Sequence, residues 1–169
     1  VLVSGSVGCH GAAVLMARGG LPCEGALRSD CRPLHELAAA ALDAGGVRML
    51  RDPTRGGVAT TLNEFVEGLP LGIELDEEAV PVDEPVDAAC ALLGLDPLYA
   101  ACEGRLLAVC APERAGAVLA ALRALPGGEG AARIGQVTAA RPGQVVLRNA
   151  FGGSRILGKL TGAQLPRIC

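Results

Sequence analysis

Twice in its first 67 residues, the chain passes from an apolar run through a glycine-rich turn into a helical pattern. The first unit joins a strand-like run over 1–5 to helical spacing over 12–18 through the turn Gly5-Ser6-Val7-Gly8-Cys9-His10-Gly11. The second joins a run over 47–50 to a helix over 57–67 through Arg51-Asp52-Pro53-Thr54-Arg55-Gly56-Gly57. Such alternation is typical of a sheet covered by helices, so it restricts the fold to the α/β or α+β class.

The rest of the chain extends this pattern and then changes it. Helical apolar spacing recurs over 33–44, 86–93 and 112–125, and strand-like runs occur over 71–75, 105–110, 132–138, 144–147 and 154–160. Strands and helices therefore alternate early, whereas strands cluster late. We predict a mixed sheet with helices mainly on one face. Residues 1–160 are predicted to form one domain, and residues 161–169 a flexible tail.

Composition excludes several classes of protein. Half of the residues are hydrophobic, which excludes a disordered chain, and the formal net charge is −3. Basic residues are scattered without interleaved aromatics, so we expect no nucleic-acid partner. No apolar run reaches membrane length, and we expect no membrane association. The chain begins at Val1 directly in an apolar run, which suggests a piece of a longer protein.

The seven cysteines are not arranged as metal ligands or as a disulfide framework. No CxxC occurs, and the two histidines do not complete a zinc pattern, so no metal site is predicted. An odd number of cysteines without a signal peptide indicates a reducing cytoplasm, in which most of them act as small buried apolar residues.

The first glycine-rich turn is a candidate anion site. Backbone N–H groups around Gly8, between a strand and a helix, suit phosphate oxygens, and His10 lies at the mouth of the turn. The spacing is GxxGxxG rather than the dinucleotide pattern GxGxxG, so it is a weak nucleotide motif by itself. The alternative for His10 is a polar residue that caps the helix.

The second turn is the densest motif of the chain. It lies at a strand end above a helix start, where α/β proteins bind ligands. Arginine suits phosphate oxygens bidentately, and paired glycines allow close approach. We therefore predict a phosphate-binding set formed by Asp52, Thr54, Arg55, Gly56 and Gly57. The alternative is a tight structural turn with an internal pair between Asp52 and Arg55.

The chain ends on Pro166-Arg167-Ile168-Cys169, which places a thiol at the most mobile position of the backbone. Arg167 favours the reactive thiolate, whereas the terminal carboxylate opposes it. The thiol could therefore travel into another site. The alternative is a frayed tail that happens to end in cysteine. Glu103, next to Cys102 and ahead of a strand, is a candidate base, with a solvated surface carboxylate as the alternative.

These motifs, taken in order, resemble one family. GxxGxHG, RDPTRGG, Asn63-Glu64-Phe65, CEGRLLAV over 102–109 and the terminal PRIC are similar to the C-terminal half of the HypE hydrogenase maturation factors. That family belongs to the superfamily of aminoimidazole ribonucleotide (AIR) synthetase and selenophosphate synthetase. The DxTRGG loop is shared across the superfamily and indicates only an AIRS-type C-terminal domain, whereas the PRIC end is specific to HypE.

The resemblance implies a reaction. In the family, the carbamoyltransferase HypF loads a carbamoyl group onto the terminal cysteine, which would be Cys169. HypE then uses ATP and Mg²⁺ to dehydrate this carboxamide to a thiocyanate. The cyano group passes to iron on the HypC–HypD complex, for nickel–iron hydrogenase. The resemblance also implies a homodimer formed mainly through the N-terminal domain.

The residues suit this chemistry. A carboxamide oxygen leaves poorly unless it is first phosphorylated, and the nitrogen must lose protons to a base. The predicted catalytic residues are Cys169, Glu103 as the base or the group that orients the amide, and His10. His10 would also steady phosphate oxygens together with Arg55 and the glycine turns. Asp52 would orient Arg55 or meet Mg²⁺.

The sequence departs from the family at two points. Cys9 stands where the family commonly has aspartate, and the ATP-binding N-terminal domain is absent. We therefore expect the 169-residue chain alone to be inactive. A competing interpretation is a module that docks maturation partners and carries the modifiable cysteine without chemistry of its own. Another is a phosphotransfer enzyme of the superfamily, against which the PRIC end argues.

Overall fold

The computed structural model describes residues 1–19 and 27–160, so Cys23 and the predicted tail with Cys169 lie outside the described residues. Within these ranges, five helices and eight strands are found. The helices are α1 (Cys9–Gly19), α2 (His35–Asp43), α3 (Gly57–Val66), α4 (Glu84–Leu93) and α5 (Ala115–Arg123). The strands are β1 (Leu2–Val3), β2 (Val47–Arg51), β3 (Gly72–Asp76), β4 (Leu107–Cys110), β5 (Ala132–Arg133), β6 (Gly135–Thr138), β7 (Val145–Arg148) and β8 (Ser154–Ile156).

Local sequence signals determine where the helices begin and end. α3 begins directly after Gly56, whose φ of 70° is the left-handed conformation that glycine adopts without strain. α4 has proline in its first turn and ends at Gly94, with a φ of 67°. There the Leu95 N–H donates to the Cys90 carbonyl (2.8 Å) and closes the last turn. None of the described helices is long and apolar enough to cross a membrane.

The strands form two four-stranded sheets. Sheet A has the order β2-β4-β1-β5 and is antiparallel throughout. Sheet B has the order β6-β3-β7-β8 and combines antiparallel pairs with the parallel pair β3–β7. The predicted mixed α/β class is confirmed. The strands that we assigned to one mixed sheet divide between two, and only sheet B is mixed.

The predicted strand over 132–138 contributes to both sheets. Its first part, β5, pairs with β1 in sheet A, and its second part, β6, pairs with β3 in sheet B. Ile134 lies between them and is fully buried. Its N–H donates to the Val1 carbonyl (3.0 Å), and its carbonyl accepts the Asp76 N–H (2.9 Å). One residue thus joins the two sheets through its backbone.

Apolar side chains form three clusters between these layers. The largest lies between the two sheets and α3 and includes Leu62, Ile73, Leu107 and Ile134. A second cluster packs α2 and α5 on the other face of sheet A, and a third joins α1 to α4. Burial of each large aliphatic side chain contributes about 1.5–3 kcal/mol, so this mainly aliphatic core, which also includes Phe65, holds the loops at the sheet edge.

Candidate active site

The two glycine-rich turns meet the segment before β4. The Gly8 N–H donates to the Cys102 Sγ (3.1 Å), which ties the first turn to that segment. The Cys102 N–H donates to the Pro53 carbonyl (3.1 Å), which ties the second turn to it as well. Cys102 is fully buried at the junction. The three motifs that we singled out are therefore adjacent in the fold, although they are separated by up to 94 residues along the chain.

The glycines at this junction allow backbone segments to approach each other. A Cβ on Gly11 would lie 2.8 Å from the Ala101 nitrogen. Gly57 has a φ of +60°, and a Cβ there would lie 2.6 Å from the carbonyl oxygens of Leu98 and Ala100. The Gly57 N–H donates to the Thr54 carbonyl (3.2 Å). The amides of Gly8 and Gly57 thus have partners within the chain, and binding of phosphate by Gly8, Gly56 and Gly57 stays a prediction.

Glu103 lies on the loop that this junction holds. The residue is half-buried, and its Oε1 atom is buried without a hydrogen-bond partner among the described residues. Its backbone N–H donates to the Asp30 Oδ1 (3.1 Å). Asp30 comes from the segment that precedes α2, and its side chain is 1% exposed. The predicted base is therefore a carboxylate with a fixed backbone and an available acceptor atom.

A buried ion pair lies behind this loop. The Arg105 Nε is 3.6 Å from the Asp30 Oδ2, and their side chains are 13% and 1% exposed. Arg105 Nε also donates to the Ser6 carbonyl (2.8 Å) in the first turn, and one of its terminal nitrogens donates to the Gly127 carbonyl (3.2 Å). Arg105 consequently connects the Glu103 loop to the first glycine turn.

His10 lies in the first turn of α1 and is half-buried. Its Nδ1 is 2.8 Å from the Ser29 Oγ, which also accepts the Cys31 N–H (3.1 Å). Ser29 and Asp30 are neighbours, so consecutive residues contact His10 and the Glu103 loop. We did not identify either residue from the sequence, because no local pattern marks a buried aspartate between helices.

The second turn presents its polar side chains to solvent. Asp52 and Arg55 are exposed, and Thr54 is half-buried. Arg51 at the end of β2 pairs with Glu64 of α3. Asp52, Thr54 and Arg55 directly precede α3 in the sequence, and Arg55 is the cation closest in sequence to the start of that helix. Their predicted contacts with ATP phosphates stay a prediction.

Cys9, at the family's aspartate position, points into the packing between α1 and α4. Its Sγ lies 3.8 Å from the Ser6 Oγ and 3.8 Å from the Asp83 Oδ2. Burial raises the pKa of the Cys9 thiol, with the Asp30 and Asp83 carboxylates acting in the same direction. A thiol with a raised pKa is a poor nucleophile at neutral pH. Cys9 therefore contributes packing here.

The other buried thiols are also unreactive. Burial raises the pKa of Cys102 to about 12 and that of Cys90 to about 11. Cys31 is exposed and Cys110 is half-buried. Among the described residues, no group of His, Cys, Asp and Glu side chains is arranged to hold a metal ion.

Comparisons with known proteins identify the family to which this domain belongs. Residues 1–148 match the family described as AIR synthase related protein, C-terminal domain. Carbamoyl dehydratase HypE of Bradyrhizobium diazoefficiens is 53% identical over 100% of this chain and 49% of its own length. The HypE protein of Cupriavidus necator is 52% identical over 100% of this chain and 48% of its own length.

Solved structures give the same result. A crystal structure of the hydrogenase maturation protein HypE has a TM-score of 0.94 at 48% identity and covers 99% of this chain and 55% of its own. A HypE structure in complex with ATP has a TM-score of 0.93 at 48% identity, over 99% and 52% of the two chains. A HypE–HypF complex has a TM-score of 0.89 at 36% identity, over 94% and 52%.

The chain spans about half the length of the relatives that it matches. The predicted resemblance to HypE is confirmed, since the similarity extends over the whole chain. The chain belongs to the family of the AIR synthase related protein, C-terminal domain, and within it is similar to HypE.

Proposed function

We propose that this chain forms the C-terminal half of an ATP-dependent carbamoyl dehydratase. The enzyme would convert a carbamoyl group on Cys169 to a thiocyanate and so supply cyanide ligands for the iron of nickel–iron hydrogenase. The names and structures of the similar proteins support this proposal. The chemistry below is argued from the residues of this chain.

The observation that carries the proposal is that the Oε1 atom of Glu103 is buried and has no hydrogen-bond partner among the described residues. Hydrogen bonds donated to a carboxylate stabilise its charged form and so make it a weaker base. Leaving a buried acceptor unpaired costs about 1–3 kcal/mol, so such an atom suggests a function at this position. A substrate N–H that reached Oε1 would complete its hydrogen bonding.

The reaction requires removal of one water from the carboxamide. The C–O bond breaks, a C≡N triple bond forms, and the two protons of the nitrogen depart. ATP supplies the phosphoryl group that converts the carboxamide oxygen into a leaving group. One of the two nitrogen protons is lost to solvent when the oxygen is phosphorylated, and Glu103 accepts the other as the phosphate departs. His10 and Arg55 provide hydrogen-bond donors for oxygens that gain negative charge.

The residues of this chain fit a share of an ATP site. Asp52, Thr54 and Arg55 offer a carboxylate, a hydroxyl and a guanidinium beside the start of α3. Arginine can bind phosphate oxygens bidentately, and a helix start favours anions. We propose that Mg²⁺ and most of ATP are bound by the half of the relatives that this chain does not span.

The same reasoning extends to partners. HypF is a proposed partner that loads Cys169, as a similar protein forms a complex with HypF. HypC–HypD is proposed to accept the cyano group, and the full-length protein is proposed to form a homodimer. A cytoplasmic location is proposed from the cysteine content and the need for free thiols.

The decisive experiment replaces Glu103 with glutamine in the full-length protein, which keeps the shape and removes the base. After loading by HypF, carbamoyl-Cys169 should accumulate, and the conversion rate should fall about 10²-fold or more. Mass spectrometry distinguishes the two forms of the tail by the loss of one water. Glu113→Gln, at an exposed position before α5, is the matched control. Normal conversion by Glu103→Gln would remove Glu103 from the mechanism.

A further inference from the structure

Two consecutive residues contact both of the predicted catalytic residues that the structure describes. We propose that Ser29 and Asp30 are positioning residues: Asp30 fixes the Glu103 loop, and Ser29 fixes the proton on the His10 ring. This inference rests on the proposed function, since it assigns these residues a role in the same site. Neither side chain is assigned contact with the substrate.

Asp30 contacts the Glu103 loop through both its side chain and its backbone. Its Oδ1 accepts the Glu103 N–H (3.1 Å), and its Oδ2 lies 3.6 Å from the Arg105 Nε without a hydrogen-bond partner among the described residues. Its backbone carbonyl lies so close to Gly104 that a Cβ there would be 1.8 Å away. Asp30 therefore contacts three consecutive residues of the loop that carries the predicted base.

Burial of the charged Asp30 carboxylate is unfavourable, and packing contacts alone do not offset the lost hydration free energy. A buried ionised carboxylate loses its hydration, and a pair without good hydrogen-bond geometry recovers only part of that free energy. At 3.6 Å, the contact with Arg105 is longer than a charge-assisted hydrogen bond. A neutral acceptor could anchor the loop with a smaller desolvation penalty. We interpret the charge as orienting Arg105, which donates to the Ser6 carbonyl and so fixes the first glycine turn relative to Glu103.

Ser29 acts on the other catalytic candidate. Its Oγ accepts the Cys31 N–H (3.1 Å) and lies 2.8 Å from the His10 Nδ1. A hydroxyl has one proton to donate, and donation to Nδ1 makes that nitrogen the acceptor. The neutral ring then carries its proton on Nε2. In this form His10 is a donor toward an oxygen that gains negative charge in the reaction.

The test uses the full-length protein loaded by HypF, because loading at Cys169 is not proposed to require Glu103 or His10. Asp30→Asn should lower the rate of conversion to thiocyanate by up to about 10²-fold, the loss expected for a misplacement of about 1 Å. The KM for ATP and the extent of loading should stay unchanged. Asp76→Asn is the matched control, since Asp76 likewise accepts a backbone N–H, from Glu78 (3.3 Å), at the end of β3 in sheet B.

The role of Ser29 has a readout that does not depend on activity. Nitrogen-15 shifts of the labelled imidazole should show His10 as the Nε2–H form in the full-length protein. Ser29→Ala should change this ring to a mixture of forms and slow conversion, and Ser29→Thr should restore both. Ser29 is exposed, so its replacement should leave folding intact.

The outcomes separate the inference from the function on which it rests. If Asp30→Asn converts as fast as Asp76→Asn, or if the His10 form is the same in Ser29→Ala, the positioning role is overturned. If the full-length protein without substitutions is carbamoylated by HypF but forms no thiocyanate, the proposed function is wrong. The ring shifts of His10 and the amide shift of Glu103 in the two variants then decide whether Ser29 and Asp30 still position these residues.

Discussion

Gly104→Ala tests the geometry of the Glu103 loop with a single methyl group. A Cβ at Gly104 would lie 1.8 Å from the Asp30 carbonyl oxygen and 2.8 Å from its carbonyl carbon. Ordinary contacts of a Cβ begin near 3.4 Å, so the two backbone segments must separate by more than 1 Å. These two nearest atoms belong to the backbone, which cannot rotate away as the end of a flexible side chain can.

The expected magnitude follows from this displacement. Overpacking of this kind costs about 1–3 kcal/mol of folding free energy. A shift of about 1 Å in a group that takes part in the reaction lowers the rate by roughly 10²-fold. Because the Glu103 N–H bonds Asp30, the separation displaces Glu103 directly. The rate of conversion of carbamoyl-Cys169 should therefore fall by roughly 10²-fold even in protein that remains folded.

The assay measures urea unfolding, carbamoyl loading and thiocyanate formation for the full-length variant. Gly116→Ala is the matched control, since Gly116 lies inside α5 with no atom within 4 Å of its added Cβ. That change should stabilise the protein by about 0.5–1 kcal/mol and leave both reactions unchanged. If Gly104→Ala retains the full rate of conversion, the close contact between the Asp30 and Gly104 backbones has no bearing on the reaction.

Further predictions concern the thiols, the second turn and the chain in isolation. HypF should load Cys169 alone, so Cys169→Ala should abolish carbamoylation and Cys31→Ser should not; peptide mapping by mass spectrometry decides. Arg55→Ala should raise the KM for ATP in thiocyanate formation and leave loading intact, whereas equal loss of both steps would indicate a folding role. Iodoacetamide at pH 8 should label Cys31 but not native Cys102, whose pKa of about 12 leaves roughly one thiolate in 10⁴. Burial keeps the Cys102 thiol protonated in the folded protein, whereas in the unfolded chain it ionises above about pH 8.5. The free energy of unfolding should therefore be unaffected by this thiol below about pH 8.5 and decline as the pH rises toward 12, which unfolding at high pH would check. The 169-residue chain alone should fold, as judged by cooperative urea unfolding, yet form no thiocyanate with ATP. Conversion by this chain would refute the expectation that it is inactive without the rest of the protein.

The helices were predictable because their signals are local. α2 was expected over 33–44 from its apolar spacing, the proline before it and the glycines after it, and it extends over His35–Asp43. α3 was expected from Gly57, and it begins there. Each signal lies within a few residues of the helix end that it determines, so a single sequence contains all the necessary information.

The division into two sheets was not predictable in the same way. The run over 132–138 has one apolar pattern, and nothing within it indicates that its two parts pair with β1 and β3. A Cβ at Gly135 would lie 2.2 Å from the Glu74 carbonyl oxygen, so glycine permits the close approach of β6 and β3. That requirement depends on a partner some 60 residues away and is invisible in the local sequence.

The site was predicted in its parts but not in its connections. Glu103 and His10 were identified from motifs; the structure places Glu103 on the loop after Cys102 and His10 in the first turn of α1, which follows the glycine turn that bonds Cys102. The glycine turns were interpreted as cradles for phosphate, whereas the amides of Gly8 and Gly57 bond within the chain. A glycine needed for a ligand and one needed for backbone packing are identical in sequence, since both require only the missing Cβ.

The position of β1 in sheet A has a consequence for synthesis of the protein. β1 lies between β4 and β5, and Leu2 is paired with Ala108 on one side and with Arg133 on the other. The ribosome must therefore add about 130 residues after β1 before that strand has both neighbours. At typical elongation rates this takes on the order of ten seconds. Until β5 is made, at least one edge of this apolar strand lacks its native partner, so sheet A cannot be completed while the chain is still being extended through β5.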